Sequence, residues 1–497
     1  MTSALEDLLR HWSTFHDLKS VSSLASWDQE VVMPAGGGSG RAAVMGTLAG
    51  LRHQALLAPE LTDAIESVET SAAPDSVEAA HARLARFQVD RARNVPEALA
   101  RELAVATAEA HESWKAARAA SDTKLFARDL ERLVNLTREL ATHLPGEGSA
   151  YERLMQAYEP GVRERDLVPL FDELEQALVP WIHAVGGSGR EIDESPALGH
   201  FDEAAQRAFA REVSEAMGFD YTRGRLDRAA HPFCSGFGPG DVRLTWRHLD
   251  DDFRSALYGV IHEAGHGLYE QGLPDDWSRT PLGNAVSLGV HESQSRLWEN
   301  HVGRSRGFWE WAMPMFRRHF PDHPQADVDA MVRALNTIKP SLIRVEADEG
   351  TYDLHIAIRF SLERRLFAGE LEVSDLAEAW DASYERLLGV RPSNAAEGVL
   401  QDIHWSSAAF GYFPTYTLGN LMAAQLFGAA EEELGALEPA FARGEFQPLL
   451  TWLRREVHSS GSRYPADVLI ERATGAPLGT EAYLERRRRN LHEVYGL

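Results

Sequence analysis

Apolar residues recur at helical spacing from Ser3 to Trp27, which predicts a helix, and the pattern then stops at a run from Met33 through Pro34 and Gly36 to Gly40, which predicts a loop. From Leu51 to Pro145 there is no glycine, and Pro59, Pro74, Pro96 and Pro145 are the only breaks. Leu84, Phe87, Ala92 and Val95, then Leu130, Leu133, Leu136 and Leu140, mark apolar faces of long helices packed on one another. More helix is predicted over Arg163–Ala184 and Asp202–Met217, separated by a Gly-rich break at 186–189. His231 to Gly240 reads as turns, and Asp241–Trp246 alternates polar with apolar residues as a half-buried strand does. Past Pro281 helical spacing returns over Leu288–Trp311, Val328–Ile338, Ile343–Leu366 and Val373–Leu388; Gly398–Gly419 is loop-rich, and the tail from Asn420 is helical with a break at Gly461. The pattern describes a mainly α protein with few strands.

Composition narrows the partners. Of 497 residues 75 are acidic and 50 basic, a formal charge of −25 that opposes binding to nucleic acid or to an anionic membrane surface. The run Arg486–Arg489 reads as a solvated helix face. Cys234 is the only cysteine, so no disulfide within the chain supports the fold, which suits a reducing cytosol. No signal-like segment opens the chain and no stretch approaches 18 uninterrupted apolar residues, so the expectation is a soluble, cytoplasmic protein without a membrane. The glycines before Arg41 lack the following Gly-Lys-Ser/Thr of a phosphate cradle and read as a connection.

Chemistry concentrates between Ser255 and Gly272. There His262 and His266 stand four residues apart, on one face of a helix, with Glu263 beside the first. Two imidazoles so placed can share one metal ion. Asp250–Asp252 is available to cap the helix, Phe253, Leu257, Val260 and Ile261 give it a buried face, and Gly272 before Pro274 ends it. A catalytic zinc takes a third protein ligand. The extended pattern with glycine at 269 and histidine at 272 is absent, because Tyr269 and Gly272 occupy those positions. A carboxylate downstream is the alternative, and Glu292 and Glu299, seven residues apart on the next predicted helix, are the two candidates, with Glu292 preferred. Glu263 is placed to take a proton from water, and the reaction class is amide hydrolysis.

Beyond this helix the chain carries Trp27-Asp28-Gln29 before Met33-Pro34, His231-Pro232-Phe233, Asp241-x-Arg243-x-Thr245, and His291-Glu292-Ser293-Gln294. Ile343-Arg344-x-x-Ala347-Asp348, Gly398-x-x-Gln401-Asp402-x-His404-Trp405 and Gly411-Tyr412-Phe413-Pro414 follow. In these blocks and their order it resembles the Taq-type thermostable metallocarboxypeptidases (thermostable carboxypeptidase 1) over essentially its whole length. The resemblance implies a large helical single-domain, saddle-like fold over residues 1–497 with a deep groove. A helical part of about residues 1–200 would form one wall, the part from about 201 to 497 would bind zinc and substrate, and a small sheet would lie beside the zinc helix. It implies a homodimer that removes single residues from free peptide C-termini with broad side-chain tolerance. It also implies one zinc ion per chain on His262, His266 and Glu292, with Glu263 as general base; by its chemistry such a donor set also takes cobalt.

Cleavage at a chain end needs a fixed cation for the terminal carboxylate, and a guanidinium grips both oxygens. Arg344 is the first candidate and Arg243 the second; a pair of Arg344 with Asp348 at i+4 on a helix is the plain alternative. His404 and Tyr412 can donate to an oxyanion or a leaving amine. Gln401 is counted with the substrate-binding residues, although it, His231, Asp241 and Thr245 suit shaping a groove or a turn better than chemistry. In Ser406-Ser407-Ala408-Ala409-Phe410 the glycine expected among the small residues is missing. Two other functions remain to be separated from this one: an oligopeptidase or dipeptidase with the same metal, and a peptide-binding protein without catalysis.

Overall fold

The computed structural model describes residues 3–323 and 327–497. The described residues form twenty α-helices and one small sheet, the mainly α architecture that the apolar spacing predicts. The chain packs as two compact units, each assembled from three separate stretches.

The first unit comprises Met1–Ala92, Asp193–Leu335 and Met422–Leu478. Its opening helix, Ser3–Val31, buries Leu5, Leu8 and Trp12 against Leu61, Ile65 and Val68 of the Pro59–Ser71 helix and Ala82, Ala85 and Val89 of the Val77–Arg93 helix. The buried stripe of the latter is thus made of small residues and His81, while Leu84 and Phe87 stay half-buried. A second core gathers Phe201, Phe209, Phe253, Trp309, Phe316 and Phe320, largely edge to face.

The sheet also belongs to this unit: β1 (Gly224–Arg228), β2 (Cys234–Gly238) and β3 (Asp241–Trp246), in the order β1-β3-β2. β3 is central, parallel to β1 and antiparallel to β2, with Val242, Leu244, Thr245 and Trp246 buried. The turn-rich segment 231–240 therefore contains a strand, held partly from outside itself. Thr245 Oγ1 accepts from Phe233 N at 2.7 Å and donates to Phe233 O at 3.1 Å, docking the His231-Pro232-Phe233 element on β3.

The second unit comprises Arg93–Ile192, Asn336–Leu421 and Gly479–Leu497. The helices Glu97–Ala120 and Lys124–His143 pack as a hairpin, and Phe360 of the Tyr352–Ala368 helix stacks on Phe171 of the Glu164–Gly187 helix.

Several local expectations change. The glycine run is short as a loop, since helix resumes at Gly38 and runs to Leu56. Ile343–Leu366 is not one helix. Asp348 accepts from the N–H groups of Lys339, Gly350 and Thr351, which holds a turn, and helix begins only at Tyr352. The arginine run lies on the Glu481–Tyr495 helix but is no uniform solvated face, because Arg487 is buried in an ion pair with Glu349.

Candidate metal centre

The Arg254–Glu270 helix carries His262, Glu263 and His266 on a segment buried on several sides. Its N-cap residue is Phe253, which offers no side-chain cap; of the three aspartates it is Asp252 that serves the first turn, accepting from Arg254 N at 2.9 Å. Two glycines explain how so crowded a helix fits. A Cβ on Gly265 would stand 2.6 Å from Ser295 Cα and 2.7 Å from Gln294 O, and one on Gly267 2.6 Å from the Phe219 ring and 3.0 Å from Leu244. The first glycine admits the Leu288–Arg296 helix and the second admits β3.

That approach brings Glu292 to both histidines. Its Oε2 lies 3.6 Å from His262 Nε2 and 3.5 Å from His266 Nε2, and one ligand atom from each of the three residues falls within 4.8 Å of the others. The remaining ring nitrogens are occupied. His262 Nδ1 donates to Glu299 at 2.9 Å, and His266 Nδ1 donates to the His291 carbonyl at 3.0 Å. Both imidazoles therefore turn Nε2 toward one point, as metal-binding histidines do. Glu299, the rival third ligand, stands behind His262 on its Nδ1 side, within the π-helical turn Leu297–Val302 that continues the Glu292 helix. The His291 ring stacks on His266 with centroids 4.2 Å apart and bonds to Glu270 at 3.0 Å.

The charges fit a cation. Glu263 and Glu292 are buried, and the partners of the carboxylates are Arg296, 2.8 Å from Glu292 and 3.4 Å from Glu299, and Arg304, 3.4 Å from Glu299. Burial would depress His262, but Glu292, Glu299 and Glu263 outweigh it and lift the imidazole to about 9. His266, buried and beside His291, falls to about 3 and stays neutral. Burial is the main cause that pushes Glu263 up to about 7, in the range where a carboxylate can take and return a proton near neutrality. Two neutral-capable imidazoles and a carboxylate with fixed supporting partners suit a divalent ion with an open position.

The second unit gathers Arg344, Gln401, Asp402 and His404, and with them Arg359, which the sequence reading missed. Arg344 opens the short 3-10 turn Arg344–Glu346 rather than lying on an α-helix, and it does not pair with Asp348. Its Nε and an Nη meet Asp402 Oδ1 at 3.0 and 2.8 Å, and its other Nη donates to Tyr352 at 3.1 Å. Arg359 takes Asp402 Oδ2 at 2.7 Å. Against the cost of burial, the two guanidiniums hold Asp402 well below the usual carboxylate range. Gln401 Oε1 accepts from Arg344 N and from Arg359, each at 2.9 Å, and its Nε2 donates to the Leu342 and Glu397 carbonyls, so its amide is spent inside the protein. His404 lies 3.3 Å from the Tyr416 hydroxyl and packs on Tyr412, with burial the main cause that depresses it to about 4.

Arg243 belongs to the first unit. It is forked onto Asp241 by two bonds of 2.9 Å and stacked over Trp27, which ties two sequence blocks together and leaves its charge balanced. His231 is exposed at the start of its element.

Residues 7–491 match the family described as carboxypeptidase Taq (M32) metallopeptidase. The chain belongs to this M32 family. It is 46% identical to thermostable carboxypeptidase 1 of Thermus thermophilus, with 99% of each chain covered. It is 36% identical to carboxypeptidase 1 of Bacillus subtilis, covering 98% of this chain and 97% of the other. Among solved structures, the M32 carboxypeptidase from Deinococcus radiodurans superposes with a TM-score of 0.96 at 38% identity over 100% of both chains. M32 membership makes the chain a metallocarboxypeptidase acting on peptides, and the His262, His266 and Glu292 cluster is where its ion fits. No described helix is long and apolar enough to cross a membrane.

Proposed function

We propose that this metallocarboxypeptidase holds zinc on His262, His266 and Glu292 and releases single residues from the free C-termini of short or unfolded peptides, with broad side-chain tolerance. The observation that carries the reading is the convergence of both Nε2 atoms on Glu292 while their Nδ1 atoms are bonded elsewhere. Zinc there would supply Lewis-acid polarisation of the scissile carbonyl and acidify water. Cobalt can take its place, because the donor set does not discriminate sharply between them. Glu263 removes a proton from the attacking water and delivers it to the leaving amine. Glu299 and the His291 carbonyl keep the two imidazoles in the tautomer that leaves Nε2 free.

For the terminal carboxylate, Arg344 remains the preferred cation. Two guanidiniums share the one carboxylate of Asp402, and neutral His404 adds no charge, so the cluster keeps a surplus positive charge. Gln401 acts through its bonds to Arg344 and Arg359, and Arg243 is the weaker candidate because Asp241 already fills its fork. His404 and Tyr412 are proposed donors to the developing oxyanion. The proposal extends to a cytoplasmic homodimer, which sedimentation and cell fractionation would test.

Glu263→Gln should retain its metal and lose activity by roughly a hundredfold or more; full activity would reject the assigned base. Digestion of one peptide with a free and with an amidated C-terminus tests the direction of attack. Equal cleavage of both would favour the oligopeptidase reading, and no cleavage of any peptide by the metal-loaded protein would favour a binding protein.

A further inference from the structure

The metal helix and the Glu292 helix meet a third segment from far along the chain. His458 opens the short 3-10 turn His458–Ser460, is fully buried, and bonds through Nε2 to Gln294 Oε1 at 2.9 Å. Gln294 lies two residues beyond Glu292. The other edge of the ring rests on the end of the metal helix: its centroid is 5.0 Å from that of Tyr269, and a Cβ on Gly272 would stand 2.3 Å from Nδ1.

The hydrogens in this contact have one consistent direction. The Val290 carbonyl can only accept, so the Ser293 hydroxyl donates to it at 2.6 Å. Ser293 Oγ must then accept from the Gln294 amide nitrogen at 3.0 Å, which turns Gln294 Oε1 to His458. His458 therefore carries its proton on Nε2 and is neutral, with a bare Nδ1 that has no partner among the described residues. Burial agrees, depressing the ring to about 3.

The residues that follow grip the lead-in to the same helix. Ser462 N donates to Leu282 O at 3.0 Å and its hydroxyl reaches the carbonyls of Asn284 and Ala285 at 2.7 and 2.9 Å. Gly461, at φ 45°, lies where a Cβ would be 2.3 Å from Leu282 O. Ser287, the N-cap of the Glu292 helix, comes two residues after Ala285.

We propose that His458 is a positioning residue of the metal centre, which sets the spacing between the helix bearing His262 and His266 and the helix bearing Glu292. This rests on the reading of those three residues as the metal site. His458→Phe keeps a ring but leaves Gln294 Oε1 buried without a donor, and His458→Gln can restore an N–H near the position of Nε2. Zn2+ affinity is to be measured by competition with a chromogenic chelator on metal-stripped full-length protein, beside Leu8→Ala, which destabilises the first unit through a different cluster.

His458→Phe should bind Zn2+ about tenfold more weakly. His458→Gln should recover most of the loss, and Leu8→Ala should lower the melting temperature without changing affinity. Unchanged affinity in His458→Phe, or an equal loss in Leu8→Ala, overturns the proposal. If His458→Phe does not fold, Gly272→Ala, which pushes the ring from its other edge, should weaken Zn2+ in the same way, and unchanged affinity there overturns it. A wild-type chain that binds no Zn2+ would instead refute the metal centre itself.

Discussion

Glu299 shows how a residue of the right chemistry can take the second role in a site. Its carboxylate is somewhat less buried than that of Glu292 and meets His262 on Nδ1, and against the cost of burial Arg296, the His262 bond and Arg304 hold it down to about 2. It can therefore stay ionised and orient the imidazole throughout. A different residue, Ala408, adopts φ 53°, the left-handed conformation that favours glycine, in the very run where the expected glycine is missing. An L side chain pays for that backbone. Ala408→Gly should raise stability by about 1 kcal/mol, allowing for the entropy that glycine adds to the unfolded chain, as measured by urea unfolding.

Among elements, the decisive contact is between the metal helix and the Glu292 helix, and it depends on Gly265. The atoms that a Cβ would meet are backbone atoms of Ser295 and Gln294, which cannot rotate away. Gly265→Ala should therefore separate the two helices, cost about 1–3 kcal/mol, and reduce bound metal after dialysis. Loss of stability with full metal content would show that the strain is absorbed elsewhere. The π-helical turn Leu297–Val302 completes this element pair, since it carries Glu299 toward His262.

At the scale of the whole molecule, buried histidines govern the response to acid. Burial is the main cause that depresses His81 and His404 to about 4 and His458 to about 3, from 6.5. Their neutral burial contributes stability that is present above pH 6.5, where neither state is protonated, and lost as the pH falls toward 4 because the unfolded chain takes up protons first. Glu363, lifted by burial from 4.5 to about 7, works in the opposite sense, its contribution being lost as the pH rises through 7. Outside the metal cluster burial also depresses His16 and His355 and raises Asp348 and Asp381, so depressed imidazoles still outnumber raised carboxyls and leave a net loss on acidification. Thermal unfolding of the full chain should show it between pH 6.5 and 4.5, and His81→Leu should make the slope shallower by up to about 1.4 kcal/mol per pH unit.

Helical content, the strand Asp241–Trp246 and the pairing of His262 with His266 were legible in the sequence, because each depends on a backbone repeat of a few residues. Glu292 was legible only as one of two carboxylates; which of them reached the Nε2 side depended on how closely two helices could approach at Gly265. The helix predicted through Arg344 failed because Asp348 bonds to backbone N–H groups and stops it, and no periodicity records that choice. Arg359, Asp402 and His458 found their partners across long stretches of chain. Burial selected those contacts, since a polar group removed from water must find a partner wherever the packing supplies one. The amino-acid sequence alone thus determined the mainly helical class and the chemistry of the HExxH segment. Tertiary structure decided which distant groups surround it, and in what protonation state.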